Sequence, residues 1–123
     1  MPETSQLKIG VVGPCGAGKS TLVNALADHG YPARHIAQEH SYVPTMWKRM
    51  VNPDILIYLD ASYTTSTERR KLDWTQDEYD EQLRRLKTAR EQADLIINTD
   101  SLIPGEILSQ VLAYIHTAAR DKR

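Results

Sequence analysis

The chain of 123 residues contains no phenylalanine and one cysteine, Cys15. A lone thiol cannot close an intramolecular disulfide, so the fold must be held by aliphatic packing and a few Tyr and Trp side chains. An excess of one charge is missing too: 15 basic and 16 acidic residues leave a formal net charge of −1. That balance offers no broad positive field, so neither nucleic acid nor anionic membrane is an expected partner. Long hydrophobic runs are absent. The longest, such as Ile55–Leu59, fall far short of the about 20 apolar residues that cross a bilayer. The opening MPETSQLKIG has neither the basic region nor the apolar stretch of a secretory leader, and the expected location is the cytoplasm. With no repeat, low-complexity tract or linker, residues 1–123 read as one domain of ordinary globular composition.

What is present is an alternation of strands and helices. Leu7–Val12 (LKIGVV) is a short β-branched run ending at Gly13, which reads as a buried strand entering a tight turn. From Gly18 to about His29, Leu22, Val23, Ala25 and Leu26 fall at helical spacing, and Gly30 with Pro32 ends the helix. A half-polar strand is expected around Ala33–Ala37 and a short helix near Pro44. Asp54–Asp60 (DILIYLD) reads as a strand covered on both faces. The polar stretch after it is expected to be partly helical, and Thr75-Gln76-Asp77-Glu78 fits a capping box opening a helix to about Ala93, with Tyr79, Leu83, Leu86 and Ala93 along one face. Ala93–Asp100 reads as another buried strand, and a helix from Pro104 carries Ile107, Leu108, Val111, Leu112 and Ile115 before a charged, frayed tail, RDKR. This pattern predicts an α/β domain of three layers, a doubly wound, mostly parallel sheet of about four strands.

Between the first strand and first helix stands Gly13-Pro14-Cys15-Gly16-Ala17-Gly18-Lys19-Ser20, a full match to G-x-x-x-x-G-K-[ST] in the context that motif requires. Wrapping a phosphate with backbone N–H groups needs positive φ values, which glycine supplies, and the helix start adds unpaired N–H groups and the positive end of its dipole. Lys19 is placed to reach the β- and γ-phosphates, Ser20 to ligate Mg²⁺, and Thr21 to assist the α-phosphate. The expected ligand is a nucleoside triphosphate, ATP with Mg²⁺. Cys15 reads as a small residue at a variable position rather than a redox centre.

Taken together, IGVVGPCGAGKSTLVNAL, NPDILIYLDAS, an Arg-rich polar stretch, ADLIINTD and a closing helix resemble the P-loop nucleoside and nucleotide kinases over most of the chain. The resemblance implies the P-loop NTPase type of fold, and a lid after Asp60 whose arginines neutralise charge on the transferred phosphoryl group. Arg69 and Arg70 are the candidates, with Arg84 and Arg85 more distant; a solvated helix face, with pairing to Glu81, is the plain alternative. It also implies a carboxylate at the end of the second strand, here Glu39, accepting the acceptor hydroxyl's proton. Gln38, Glu39 and His40 would then share the loop's crevice at the carboxyl ends of the strands, although a polar exit from a strand is the bland reading. One departure is large. Such kinases carry acceptor-binding helices and a further strand, ending in an acidic metal-organising residue, where this chain has only residues 40–52.

Two acids compete to organise the metal. Asp60 ends an apolar run in the manner of a metal-binding strand, or else caps the next segment; Glu39 is the rival. The four histidines, His29, His35, His40 and His116, show no zinc-ligand spacing. Trp47 and Trp74 read as packing or surface anchors. The primary expectation is a small kinase-like phosphotransferase acting on a small molecule with Mg-ATP, built from Lys19, Ser20, Glu39, Asp60, Arg69 and Arg70. The alternative is a nucleotide-binding module or slow NTPase switch that reports ATP to a protein partner through loops ordered by the γ-phosphate. Guanine specificity has no support, since neither N-K-x-D nor the glycine of D-x-x-G occurs where a GTPase needs it.

Overall fold

The computed structural model describes residues 7–71 and 73–121, with side chains through residue 118. Residues 1–6, the start of the opening read as lacking a leader, and the end of the RDKR tail lie outside them. In chain order the elements are β1 (Ile9–Val12), α1 (Lys19–Asp28), β2 (Ala33–His35), a 3-10 turn at Gln38–His40, α2 (Met46–Met50), β3 (Ile55–Asp60), α3 (Tyr63–Arg70), α4 (Gln76–Gln92), β4 (Leu95–Asn98) and α5 (Pro104–Asp121). The four strands form one sheet in the order β2-β1-β3-β4, every pair parallel, with Ile9 opposite Ala33 on one side and Ile55 on the other. Among the described residues no helix is long and apolar enough to cross a membrane.

Strand alternation divides the core into two layers. Ile9 and Val11 of β1 and Ile55, Ile57 and Leu59 of β3 pack with Leu22 and Leu26 of α1 and Ile107, Val111 and Ile115 of α5. The intervening positions Val12, Leu56 and Tyr58 face the opposite way and pack with Ile36, Trp47 of α2, and Leu86 and Ala89 of α4. Gly10 lies on this second face, where an added Cβ would stand 2.9 Å from Ile36 Cδ1. The two central strands are fully covered, which explains their continuous apolar runs.

The edge strands differ from the sequence reading. β2 stops at His35 rather than Ala37, although Ile36 N–H still bonds Val11 O at 3.0 Å, and Glu39 comes from the 3-10 turn that follows rather than from a strand end. β4 is not a buried strand: only Ile97 is buried, and Ile96 is exposed because β4 has a neighbour on one side alone. The capping box is present as read, with Thr75 Oγ1 accepting from Glu78 N–H and Glu78 accepting from Thr75 N–H, each at 3.1 Å.

Candidate functional site

Six residues carry the chain from the end of β1 to the start of α1, with φ at 152° for Gly13, 82° for Gly16 and 100° for Gly18. At Gly16 the requirement is space as well as conformation. An added Cβ would lie 2.8 Å from backbone atoms of Ser66, so the loop rests directly against α3. Gly18 is different, since nothing lies within 4 Å of its added Cβ and only the left-handed backbone demands glycine there. Gly18 is also the N-cap of α1, and no side chain caps that helix. By contrast, Ser62 caps α3 and Thr75 caps α4. The first N–H groups of α1 therefore keep their partial positive charge, and no acidic side chain occupies the first turn.

Lys19 opens the helix and is buried. Its ammonium donates to Gly13 O at 2.5 Å, to Pro14 O at 3.0 Å and to Glu39 Oε2 at 2.8 Å. With 5% and 3% of their side chains exposed, Lys19 and Glu39 form a desolvated pair, in which removing either partner leaves an uncompensated buried charge. The other carboxylate oxygen, Glu39 Oε1, is buried and has no hydrogen-bond partner among the described residues. Glu39 is held from beside it: Gln38 Nε2 donates to Val43 O at 2.8 Å and Arg85 O at 3.2 Å, and its Oε1 accepts from Trp47 N–H at 2.9 Å. Gln38 is thus a staple of the turn, and Trp47 a packed core residue.

An open cavity of about 360 Å³ lies over this region, lined by Cys15, Gly16, Gly18, Lys19, Ser20, Thr21, His35, Glu39, His40, Arg69 and Arg70. A smaller apolar cavity of about 160 Å³ adjoins it, sharing Gly18, Thr21 and Arg69 and closed by Leu22, Leu102, Pro104 and Ile107. Arg69 spans the rim, with Nη1 donating to Gly16 O at 3.2 Å and Thr99 Oγ1 at 2.9 Å, and Nη2 donating to Thr99 O. Arg70 lines the cavity beside it. Three permanent cations and one carboxylate make the cavity net positive, which suits an anion.

The sequence-predicted residues do not all converge. Gly16, Gly18, Lys19, Ser20, Thr21, Glu39, Arg69 and Arg70 line this cavity with Cys15; Gly13 and Pro14 are buried beneath, with carbonyls on Lys19, and Ala17 reaches the apolar cavity. Asp60 is not brought there. It lines a separate cleft with Tyr58, Tyr79, Leu83, Lys87, Arg90 and Glu91, and its Oδ2 lies 3.7 Å from Arg90 Nη2. The reason is parity: Leu56, Tyr58 and Asp60 alternate toward the α4 face of β3. Burial and the neighbouring Asp60 push the Tyr58 phenol well above its ordinary range, and the same two causes push Tyr79 up to about 12. Arg84 pairs with Glu81 at 3.3 Å, whereas Arg85 lies over the Tyr42 ring and donates to Glu39 O at 3.4 Å. Trp74 donates to Thr67 Oγ1 and stacks on Tyr63.

Several residues of the site were silent in the sequence. His35 lines the cavity, and burial, followed by the Lys19 charge, lowers its pKa from 6.5. Gln82, from α4, accepts from Cys15 N–H at 3.0 Å and donates to Cys15 Sγ at 3.3 Å. Thr99 is wholly buried, and its single hydroxyl proton has Ala17 O at 3.1 Å and Asp60 O at 3.0 Å as acceptors within reach. Cys15 Sγ lies 3.7 Å from His40 Nε2, a proximity between residues 25 apart that no spacing rule announces. Compared with protein-family models and with curated proteins, the chain matches none.

Proposed function

We propose that the chain binds a nucleoside triphosphate, ATP with Mg²⁺, across the two joined cavities and transfers its terminal phosphoryl group to a small molecule. The reading takes the fold as the P-loop NTPase type and the chain as a shortened relative of nucleoside and nucleotide kinases. One observation carries it: a glycine loop with three positive φ values leads into a helix whose N-terminus has no side-chain cap, with a buried lysine at its first position. That set of donors is complementary to condensed phosphates. In this reading the phosphates take the loop and the larger cavity, the base takes the apolar cavity beside Leu102 and Pro104, and Arg69 and Arg70 face the charge that builds on the transferred group.

Mg²⁺ characteristically binds through few protein oxygens together with phosphate oxygens, and the exposed Ser20 at the first turn of α1 suits that requirement. When bound it supplies neutralisation of phosphate charge. Glu39, rather than Asp60, is the acid placed beside Lys19, and it accepts the acceptor's proton as the new P–O bond forms and the bond to the β-phosphate oxygen breaks. Lys19, drawn to phosphate, releases Glu39 for that task.

Calorimetry with Mg-ATP tests binding: Lys19→Ala and Ser20→Ala are expected to abolish or greatly weaken it, and equal affinity in folded variants and the parent would overturn the proposal. The shortness of residues 40–52 favours a second reading, a binding module or slow switch without a small-molecule acceptor. Incubation with γ-labelled ATP and a panel of nucleosides, nucleotides and hydroxylated metabolites separates the two. Label on an acceptor selects transfer; tight binding without turnover selects the module.

A further inference from the structure

Cys15, Glu39 and His40 form a cluster that the nucleotide reading leaves unused as a unit. Their ligand-type atoms all fall within 4.8 Å of one another, at 3.7 Å for Sγ to Nε2, 4.0 Å for Sγ to Oε2 and 3.9 Å for Nε2 to Oε2. A tetrahedral ion with bonds of about 2.0–2.3 Å to S, N and O sets those edges at roughly 3.3–3.6 Å, so an ion needs only a small contraction. The His40 side chain, 59% exposed, can shorten its own two edges, and rotation of Cys15 about χ1 shortens the third.

Two further observations point to a ligand. Among the described residues Glu39 Oε1 is buried with no partner, which leaves the carboxylate one interaction short, while the oxygen that faces Cys15 and His40, Oε2, is the one Lys19 holds; an ion shares Oε2 with the ammonium unless the carboxylate turns to give each its own oxygen. Gln82 Nε2 donates to Cys15 Sγ, the kind of outer contact that orients a sulfur ligand, and Gln82 is itself 8% exposed. We propose that Cys15, His40 and Glu39 bind a borderline-soft divalent cation of the zinc class in the nucleotide-free protein, with the fourth position open to the cavity. The Cys15 thiolate and Glu39 carboxylate offset its charge beside Lys19, and an ion on Glu39 excludes the proton-accepting role of that carboxylate, so metal binding and transfer are alternative states of the site. Sulfur and imidazole select such an ion over Mg²⁺, which takes oxygen ligands. Binding replaces the thiol proton, which leaves to solvent, and involves no redox change.

The test uses Co²⁺ alone on the reduced 123-residue chain, without nucleotide, so its failure does not touch the nucleotide reading. A 1:1 complex is expected, with a thiolate-to-cobalt charge-transfer band and the intense visible absorption of tetrahedral cobalt, and Zn²⁺ should displace it. Cys15→Ser should lose the charge-transfer band. His40→Gln should weaken Co²⁺ by more than about a hundredfold, beyond the roughly 10–100-fold that loss of an outer contact costs, and Gln82→Ala by about tenfold. His29→Gln, whose imidazole contacts Ala25 O outside the cluster, serves as the control for folding and for adventitious histidine binding. Absence of the thiolate band in the parent protein, or unchanged Co²⁺ affinity in folded His40→Gln, overturns the proposal.

Discussion

Glu39 meets Lys19 at 2.8 Å with 3% of its side chain exposed, whereas Asp60 meets Arg90 at 3.7 Å with 26% exposed beside an arginine half in solvent. Glu39 follows β2 and Asp60 ends β3 of the same sheet, and both were candidates for the same work. Their surroundings make them different chemical objects. Glu39 is desolvated, locked by the Gln38 staple and short of one hydrogen bond, so its free energy depends on what enters the cavity. Asp60 is partly exposed, loosely paired and shares its cleft with Tyr58 and Tyr79, away from the loop.

The largest test of that contrast is stability. Glu39→Ala strands the Lys19 ammonium and should cost about 3–5 kcal/mol in urea denaturation. Asp60→Ala, at an exposed pair, should cost under about 1 kcal/mol. Comparable losses would break the comparison. Of intermediate size is Gln82→Ala, which removes the Cys15 N–H acceptor and should cost about 1–3 kcal/mol, since that backbone group is left unpaired in a part-buried place.

The smallest effect is a titration. Burial, then Lys19, hold the His35 pKa below 6.5, so the folded protein binds that proton less readily than the unfolded chain. The resulting stability is present above pH 6.5 and is lost as pH falls through the lower, folded value. NMR should place the His35 midpoint below 6.5. Glu39→Gln should move it lower still, because the Glu39 charge is the one that raises it, while Asp60→Asn leaves it in place.

Much of this was legible in the chain. LKIGVV followed by three glycines, the DILIYLD run, the Thr75–Glu78 box and the periodic apolar face from Ile107 to Ile115 each carry a local signal, and each marks a real element. Lys19 and Glu39 could be nominated, but not their contact. What escaped was set by tertiary geometry: the direction of Asp60 follows from strand parity only once Ile57 and Leu59 are known to face α1 and α5, and Cys15, Gln82 and His40 meet because α4 and the 3-10 turn pack together across the loop. β4 carries a buried-strand sequence at an edge because composition does not reveal how many neighbours a strand will have.

The all-parallel order β2-β1-β3-β4 also bears on how the chain reaches this state. No hairpin joins any two described strands, so no pairing forms locally, and central β1 gains its second neighbour only when Ile55 comes round to Ile9. Closing such distant contacts before they are rewarded is slow. Any species in which β3 has not joined β1 leaves a hydrogen-bonding edge of β1 open beside the glycine loop, and an open edge is a template for pairing with another chain.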